Sequence, residues 1–512
     1  MTGSAPGAPA TRRLSARELI ERTLDPGSWR SWDQPPIDVR PIEPEYAAEL
    51  AAARELTGLD EALITGEGGL GGRTVALIVG DFGFLGGSIG VAAAERFVLA
   101  AEQARARRLP LIASPSSGGT RMQEGTIAFL QMVKISAAIA AHRAAGLPYL
   151  VYLRHPTTGG VLASWGMLGQ VAAAEPGALI GFLGPRVYEA LHGQPFPEGV
   201  QTAENLARHG LIDAVVGPED LRRIAIDALD VLVRPETVPA PDPTALTDTV
   251  TDPAELPDVP AWASITISRR AERPGVRGLL RVAAGPVVPL NGTGQGERDP
   301  GMLLALARFG AAGCILLGQD RRRALSPMGP AGLREARRGM RLAAELGLPL
   351  VSVIDTAGAA LSPEAEEGGL AGEIARSLAD LITLPAPTLC LLLGQGAGGI
   401  ALALLPADRV IAAQHAWLSP LPPEGASAIR YRTPDRAPEI AAAQRVRSAD
   451  LSRDGVVDRI VRERPDAADE PEAFLRRVGA VLEHELLTLT ALDPEHRRQT
   501  RLTRYRTLGH RP

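Results

Sequence analysis

The chain has 512 residues, 45% hydrophobic and 22% charged, with 54 Lys and Arg against 59 Asp and Glu and a net charge of -5. That composition supplies two or three cores, excludes a disordered chain, and offers no basic footprint for nucleic acid. Its two cysteines, Cys314 and Cys390, both lie in apolar runs, which suits buried thiols in a reduced, cytoplasmic protein better than a disulfide or a metal site.

Residues 1–13 are rich in Ala, Gly, Pro and Thr without an apolar segment and read as a tail, not a signal peptide. Helical apolar spacing marks 14–24 and 44–56; 73–79 reads as a strand and 91–107 as a helix. Strands at 111–114 and 150–153 flank a long helix at 125–145, and short strands follow at 179–182 and 211–216. Seven prolines between Arg234 and Ala261 predict a linker. The alternation then returns, with strands at 314–317, 350–354, 388–393 and 410–413 and helices at 332–346 and 369–384. An amphipathic helix at 472–492 is placed to cap the second domain. Alternating strands and helices predict α/β layers. The expected division is 1–56 tail and helices, 57–233 first domain, 234–261 linker, 262–470 second domain and 471–512 helical extension.

The two halves repeat each other. Leu109-Pro110-Leu111 and Leu348-Pro349-Leu350 each open an apolar run. Thr157-Thr158-Gly159-Gly160 and Gly396-Ala397-Gly398-Gly399 each follow a later run, at the same interval from those openings. A shared long interval predicts a duplicated domain. Glycine between strand and helix lets backbone N–H groups approach a ligand at the positive end of the helix. Two such turns predict chemistry that develops two oxyanions.

Other glycine patterns carry less. Gly394-Gln395-Gly396-Ala397-Gly398-Gly399 matches G-x-G-x-x-G, but the next strand ends at Gln414-His415, with no carboxylate for a ribose. Gly86-Gly87-Ser88-Ile89-Gly90 matches a nucleophile elbow, but Asp81 and Gly83 interrupt the strand before it, which favours a plain turn. The uncharged run 388–405 has the length of a membrane span, yet its four glycines and the flanking Pro385 and Pro406 favour strand, turn and short helix. Ser116-Ser117-Gly118-Gly119-Thr120-Arg121 follows a strand and forms a turn suited to an anion or a carbonyl, with Arg121 available to phosphate.

Longer stretches resemble a known family. Residues 76–124, with Phe84-Leu85-Gly86-Gly87-Ser88 and Ser117-Gly118-Gly119-Thr120-Arg121-Met122-Gln123-Glu124, resemble the β subunit of bacterial acetyl-CoA carboxylase carboxyltransferase. So do Pro156-Thr157-Thr158-Gly159-Gly160-Val161 and Gly181-Phe182-Leu183-Gly184-Pro185-Arg186. Asp355-Thr356-Ala357-Gly358, Gly398-Gly399 and Pro423-Glu424-Gly425-Ala426-Ser427 are similar to the α subunit. The likeness covers most of 60–220 and 310–460, β then α.

The resemblance implies two crotonase-like (ClpP/crotonase) β-β-α spiral domains in tandem. It implies transfer of carboxylate from carboxybiotin, borne on a separate carrier protein, to acetyl-CoA or a related short acyl-CoA through an enolate. Gly159 and Gly160 would face the coenzyme A thioester, and Gly398 and Gly399 the biotin. Phe84, Gly86, Gly87, Ser88, Gly118, Gly119, Arg121, Met122 and Gly358 would belong to the surrounding coenzyme A and biotin sites. Biotin carboxyl carrier protein and biotin carboxylase are the implied partners, with a homodimer or larger homo-oligomer and neither nucleic acid nor membrane. The biotin ureido group can take the α-proton, so no dedicated side-chain base is required.

Three departures stand out. With no cysteine before Cys314, the family's four-cysteine zinc ribbon is missing, and no metal is expected. His155 replaces the family's Asp before Pro156. Residues 355–362, Asp-Thr-Ala-Gly-Ala-Ala-Leu-Ser, lack the family's prolines and tyrosine. The change at 355–362 leaves the biotin side and the acyl group open and favours one rival, a non-catalytic subunit of the same fold. The same two turns would also serve a second rival, a malonyl-thioester decarboxylase running the transfer in reverse.

Overall fold

The computed structural model describes residues 13–37, 43–235, 237–322, 327–506 and 508, so the expected tail at 1–13 lies outside the described residues except for Arg13. The chain forms two compact units, one ending at Arg208 with Ala214–Ile226 added, the other made of His209–Asp213 and everything from Asp227 onward.

The first unit is built on a seven-stranded sheet in the order Arg30–Ser31, Leu63–Leu70, Arg73–Gly80, Leu111–Ser114, Tyr149–Leu153, Val171–Ala174 and Ala214–Val215. Its first three strands run antiparallel, joined at one end by a two-residue Gly71-Gly72 turn with φ of 59° and 80°. Glycine supplies the left-handed conformation that tight hairpins need. The remaining pairs are parallel. Buried on both faces, those strands read as apolar runs without alternation. The helices Val91–Ala106 and Gly125–Ala144 pack together beside them.

The second unit carries a nine-stranded sheet. Its path is Thr249–Val250, Arg459–Val461, Arg409–Ala413, Thr388–Ala397, Leu350–Thr356, Ala312–Gln319, Met302–Phe309 and Val287–Leu290, with Trp417–Ser419 pairing onto the end of Thr388–Ala397. Cys314 and Cys390 are buried in its strands, and burial pushes the Cys390 thiol up to about 12.

The duplication is visible in the strand registers. The hairpins Leu63–Leu70/Arg73–Gly80 and Met302–Phe309/Ala312–Gln319 have equal strand lengths at corresponding positions. Isolated bridges Ile89 to Thr120 and Met328 to Ala359 correspond, as do the pairings of Ser117 with Thr157 and Thr356 with Gly396. Each pair of positions repeats at the interval read from the glycine turns.

Residues 234–261 differ from a free linker. Thr249–Val250 adds an antiparallel edge strand to Arg459–Val461, and the Asp242 carbonyl meets His484 Nδ1 at 2.8 Å. Prolines set turns here, at Pro243–Leu246 and Pro253–Glu255, each capped by an aspartate side chain. The expected break near 233 lies just past the helix Pro218–Leu232, whereas the observed one falls inside that helix, between Ile226 and Asp227. Residues 44–56, grouped above with the tail, form the helix Pro44–Thr57 of the first unit.

Candidate active site

Two glycine turns of the first unit meet backbone to backbone. Gly159 has φ of 62° and Gly119 of 113°, both closed to ordinary side chains. A Cβ on Gly159 would lie 3.4 Å from Gly119 Cα, and one on Gly119 would lie 3.5 Å from Gly159 Cα. Most amides around the turn are committed. Gly118 N–H donates to Gly86 O at 2.9 Å, Gly119 N–H to Ser117 Oγ at 3.0 Å, Thr158 N–H to Ser117 O at 3.0 Å and Gly159 N–H to Phe182 O at 3.1 Å. Gly160 and Val161 open a helical turn, so their N–H groups have no acceptor one turn back. The turn passes directly into a π-helical stretch, Leu162–Gly166, a distortion that recurs at functional sites. On its inner side Gly160 rests on Thr120 and Met132: an added Cβ would sit 3.1 Å from Thr120 Oγ1 and 3.3 Å from Met132 Cγ.

The second unit repeats the arrangement. Gly398 has φ of 75° and Gly358 of 130°, and Gly358 N–H donates to Thr356 Oγ1 at 3.2 Å as Gly119 does to Ser117. This turn is more open, since a Cβ on Gly358 would meet nothing within 4 Å, and one on Gly398 only Pro420 O at 3.7 Å. Gly399 packs on Ile374, whose Cδ1 lies 2.9 Å from where its Cβ would be. Asp355 is buried beside the turn, where Oδ1 accepts Gln395 N–H at 3.1 Å and Oδ2 pairs with Arg321 Nε at 3.0 Å. Burial raises the Asp355 pKa, opposed by Arg321. Gln319 donates to Ile400 O at 3.1 Å and accepts Asp355 N–H at 3.3 Å, tying the strand to the short helix Gly398–Leu402. A cavity of about 850 Å³ opens here, lined by Met328, Ala357, Gly358, Ala359, Ala360 and Leu361 among others.

The loop before the first turn corrects one expectation. Arg121 is buried and forked onto Glu61, with Nη1 2.9 Å from Oε2 and Nη2 2.5 Å from Oε1, and it also reaches Tyr46 Oη and Ser88. With its donors turned inward, Arg121 is a strut for the loop and not a phosphate ligand. Phe84 is buried under it, 5.6 Å from ring centre to guanidinium. Gly86 and Gly87 are left-handed, and a Cβ on Gly87 would fall 2.0 Å from Ser116 O. Ser88 Oγ donates to Leu85 O at 2.8 Å, closing the turn as the plain-turn reading expects. Met122 is exposed.

Three residues with no role assigned from sequence complete the loop. Glu124 Oε2 accepts Val91 N–H at 2.6 Å, capping the helix Val91–Ala106, while Oε1 accepts from Tyr46 Oη at 2.6 Å. Glu61 balances Arg121, and His155 Nδ1 accepts Leu179 N–H at 3.0 Å. Glu124 sat within a quoted motif; Glu61, alone and far in sequence, gave no signal. Among the described residues no three His, Cys, Asp or Glu gather as metal ligands.

Known proteins share this architecture over nearly the whole chain. Residues 10–266 match the carboxyl transferase domain family and residues 254–509 the acetyl co-enzyme A carboxylase carboxyltransferase-like family. The chain is 60% identical over 500 residues to a probable biotin-dependent acyl-coenzyme A carboxylase beta3 subunit of Mycobacterium tuberculosis, covering 97% of this chain and 99% of that one. It is 37% identical to the acetyl-coenzyme A carboxylase carboxyl transferase subunits beta/alpha of Salinispora arenicola, over 98% and 92% of the two chains. The transcarboxylase 12S crystal structure aligns with a TM-score of 0.72 at 20% identity, covering 94% of this chain and 91% of that one, and so shares the fold of two crotonase-type domains. The chain therefore belongs to the carboxyltransferase family of biotin-dependent acyl-CoA carboxylases, with a β-like and an α-like half in one polypeptide.

Proposed function

We propose that this chain moves carboxylate from carboxybiotin on a separate carrier protein to acetyl-CoA or a related short acyl-CoA. The observation that carries the proposal is the matched pair of glycine turns, each joining a strand to a helix start with the same backbone geometry. At the first turn the Gly160 and Val161 amides are donors for a thioester oxygen that gains charge as the α-proton leaves. One such donor is worth about 2.7–4 kcal/mol of barrier. Gly159 holds the turn in the left-handed conformation that aims them.

The second turn suits biotin by its shape: an open glycine surface at Gly358 and Gly398 beside a cavity whose lining mixes apolar side chains with Asp320, Arg321, Asp355 and Glu364. A flat, largely apolar ring system with one polar ureido edge fits that combination. Carboxybiotin supplies the carboxyl group and, once that is given up, a basic ureido nitrogen. Gly398 and Gly399 present the helix N-terminus to the ureido oxygen, and the pair Asp355 and Arg321 fixes the wall behind it.

Biotin carboxylase and a biotinylated carrier are the partners this reading requires. A homo-oligomer is proposed as well, supported by an exposed apolar stripe on the helix Gly125–Ala144, with Ile127, Phe129, Leu130 and Val133. The segment Met122–Ala144 is also long and apolar enough to cross a membrane; we assign its stripe to protein contact and the chain to the cytoplasm. The test is carboxylation with supplied carrier and carboxylase across acyl-CoA chain lengths. Product from a short acyl-CoA is expected, and no product from any acyl-CoA would overturn the proposal.

A further inference from the structure

The loop that carries the first glycine turn is stitched to its neighbour by a ladder of backbone hydrogen bonds. Thr157 N–H donates to Leu179 O at 2.9 Å, Thr157–Thr158 runs parallel to Ile180–Gly181, and Gly159 N–H donates to Phe182 O at 3.1 Å. One rung of the ladder is made by a side chain. Leu179 N–H donates to His155 Nδ1 at 3.0 Å. The backbone of the same histidine is held on both sides, its N–H donating to Glu175 Oε2 at 3.0 Å and its carbonyl accepting from Ser116 Oγ at 3.0 Å. His155 thus joins three segments, 114–117, 154–160 and 175–182, at the residue just before the turn.

We infer that His155 is a positioning residue for the acyl-CoA turn, and that its neutral imidazole, by accepting Leu179 N–H, makes the geometry of that turn sensitive to acid. The inference rests on the proposed carboxyltransferase reading of the turn. A ring nitrogen accepts only without its proton, so the neutral ring carries its hydrogen on Nε2. Protonation puts an N–H on Nδ1, facing the N–H of Leu179, and this rung is lost. Thr157, Thr158 and Gly159 then keep only their backbone partners.

The charged groups around the ring set where this happens. Partial burial lowers the His155 pKa, the Arg13 guanidinium lowers it further, and the Glu175 carboxylate opposes both. Arg154, adjacent in sequence, turns its guanidinium to Ser114 and to the carbonyls of Gly80 and Leu14. The ring is therefore neutral at physiological pH, and the rung opens below the ordinary histidine value of about 6.5. Because the folded-state pKa is depressed, the rung's contribution is complete above that ordinary value and is lost as pH falls through the folded one.

Asparagine separates the acceptor from the titration. Its Oδ1 hangs from Cγ as Nδ1 does in histidine, and it accepts at any pH; leucine fills the space without an acceptor. The measurement is the pH profile of kcat/KM for malonyl-CoA decarboxylation with free biotin, for wild type, His155→Asn and His155→Leu. Wild type should show an acid limb that His155→Asn flattens or shifts by more than one pH unit, while keeping at least half the activity at pH 7.5. His155→Leu should lose about tenfold in kcat, the scale of one unsatisfied, partly buried donor, with little change in KM. An active wild type whose acid limb survives unchanged in His155→Asn overturns the inference and leaves the reading of the turn standing. A wild type inactive at every pH removes the reading, and the inference with it. Hydrogen exchange of the 175–182 segment, corrected for the intrinsic pH dependence, gives a readout independent of turnover. Protection should fall between pH 7.5 and 5.5 in wild type and not in His155→Asn; equal protection in the two proteins overturns the inference.

Discussion

Four residues show how differently single positions serve one site. Gly160 faces the proposed thioester, and its Cβ would only crowd Thr120 and Met132. Gly160→Val should keep its far-ultraviolet circular dichroism but, by pressing on Thr120 and Met132, turn the amide out of line and lose transfer by about a hundredfold or more, the cost of an oxyanion donor. Gly87 is different: its left-handed φ of 63° and the 2.0 Å approach to Ser116 O leave no room for any side chain. Arg121 and Glu61 form a buried pair, and removing one partner strands a charge. Arg121→Ala should lower unfolding stability by about 3–5 kcal/mol in urea, and a double replacement by Met and Leu should recover most of it. A small effect of the single change would show that the pair is not what holds the loop.

The glycine turns were legible because left-handed backbone and close approach leave a compositional mark. The partner of Arg121 was not, because Glu61 is 60 residues away and a lone carboxylate has no pattern. For the same reason Arg121 read as a phosphate ligand, when its donors face inward.

At the scale of elements, the central parallel strands Leu111–Ser114, Tyr149–Leu153, Leu350–Thr356, Thr388–Ala397 and Arg409–Ala413 were read within a few residues, since their apolar runs are continuous, whereas the short parallel strands Val171–Ala174, Trp417–Ser419 and Arg459–Val461 were not. The antiparallel strand Leu63–Leu70 was missed. Gly66, Gly68 and Gly69 break its β-forming pattern, and the structure gives the reason: side chains there would collide with Trp29, Leu24 and Asp25 of the N-terminal segment. Its counterpart Met302–Phe309 was missed too, although the repeat interval predicts it once the first is seen. The stretch Gly394–Gly399 resembled a phosphate turn, but Thr388–Ala397 continues as a strand through most of it. Proline content likewise suggested a free linker where Thr249–Val250 pairs as an edge strand.

The C-terminal helix Pro494–Thr503 gives an element-scale prediction. Arg501 and Arg497 reach the buried Asp408, with Nη1 of Arg501 3.2 Å and Nε of Arg497 3.4 Å from Oδ2. Burial raises the Asp408 pKa, and the two arginines oppose it. Ending the chain after Leu492 should destabilise the second unit by about 3–5 kcal/mol, because Asp408 loses both cations. Urea unfolding of the shortened chain measures this, and adding Asp408→Asn should return part of the loss. An unchanged midpoint would show that the helix is dispensable.

For the whole molecule, the apolar stripe on Gly125–Ala144 predicts assembly. Light scattering should find a homodimer or larger, and Phe129→Asp with Val133→Asp should shift it toward monomer without lowering the melting temperature. An active wild-type monomer would contradict the proposed assembly. Cysteine count bears on metal: two buried thiols in separate strands cannot build a four-ligand zinc shell. Elemental analysis should find substoichiometric zinc, with chelator leaving transfer unchanged.

In the proposed function, two duplicated glycine turns divide one transfer between an acyl thioester and biotin. The direct measurement is incorporation of radiolabelled bicarbonate into a short acyl-CoA, with carboxylase and biotinylated carrier supplied, by wild type, Gly160→Val and Gly399→Val. Label is expected in the acyl-CoA with wild type and at least a hundredfold less with either folded variant. Gly160→Val should also weaken the response to acyl-CoA and Gly399→Val the response to the biotinylated carrier. Folded variants that label acyl-CoA as fast as wild type would show that the turns do not carry the transfer.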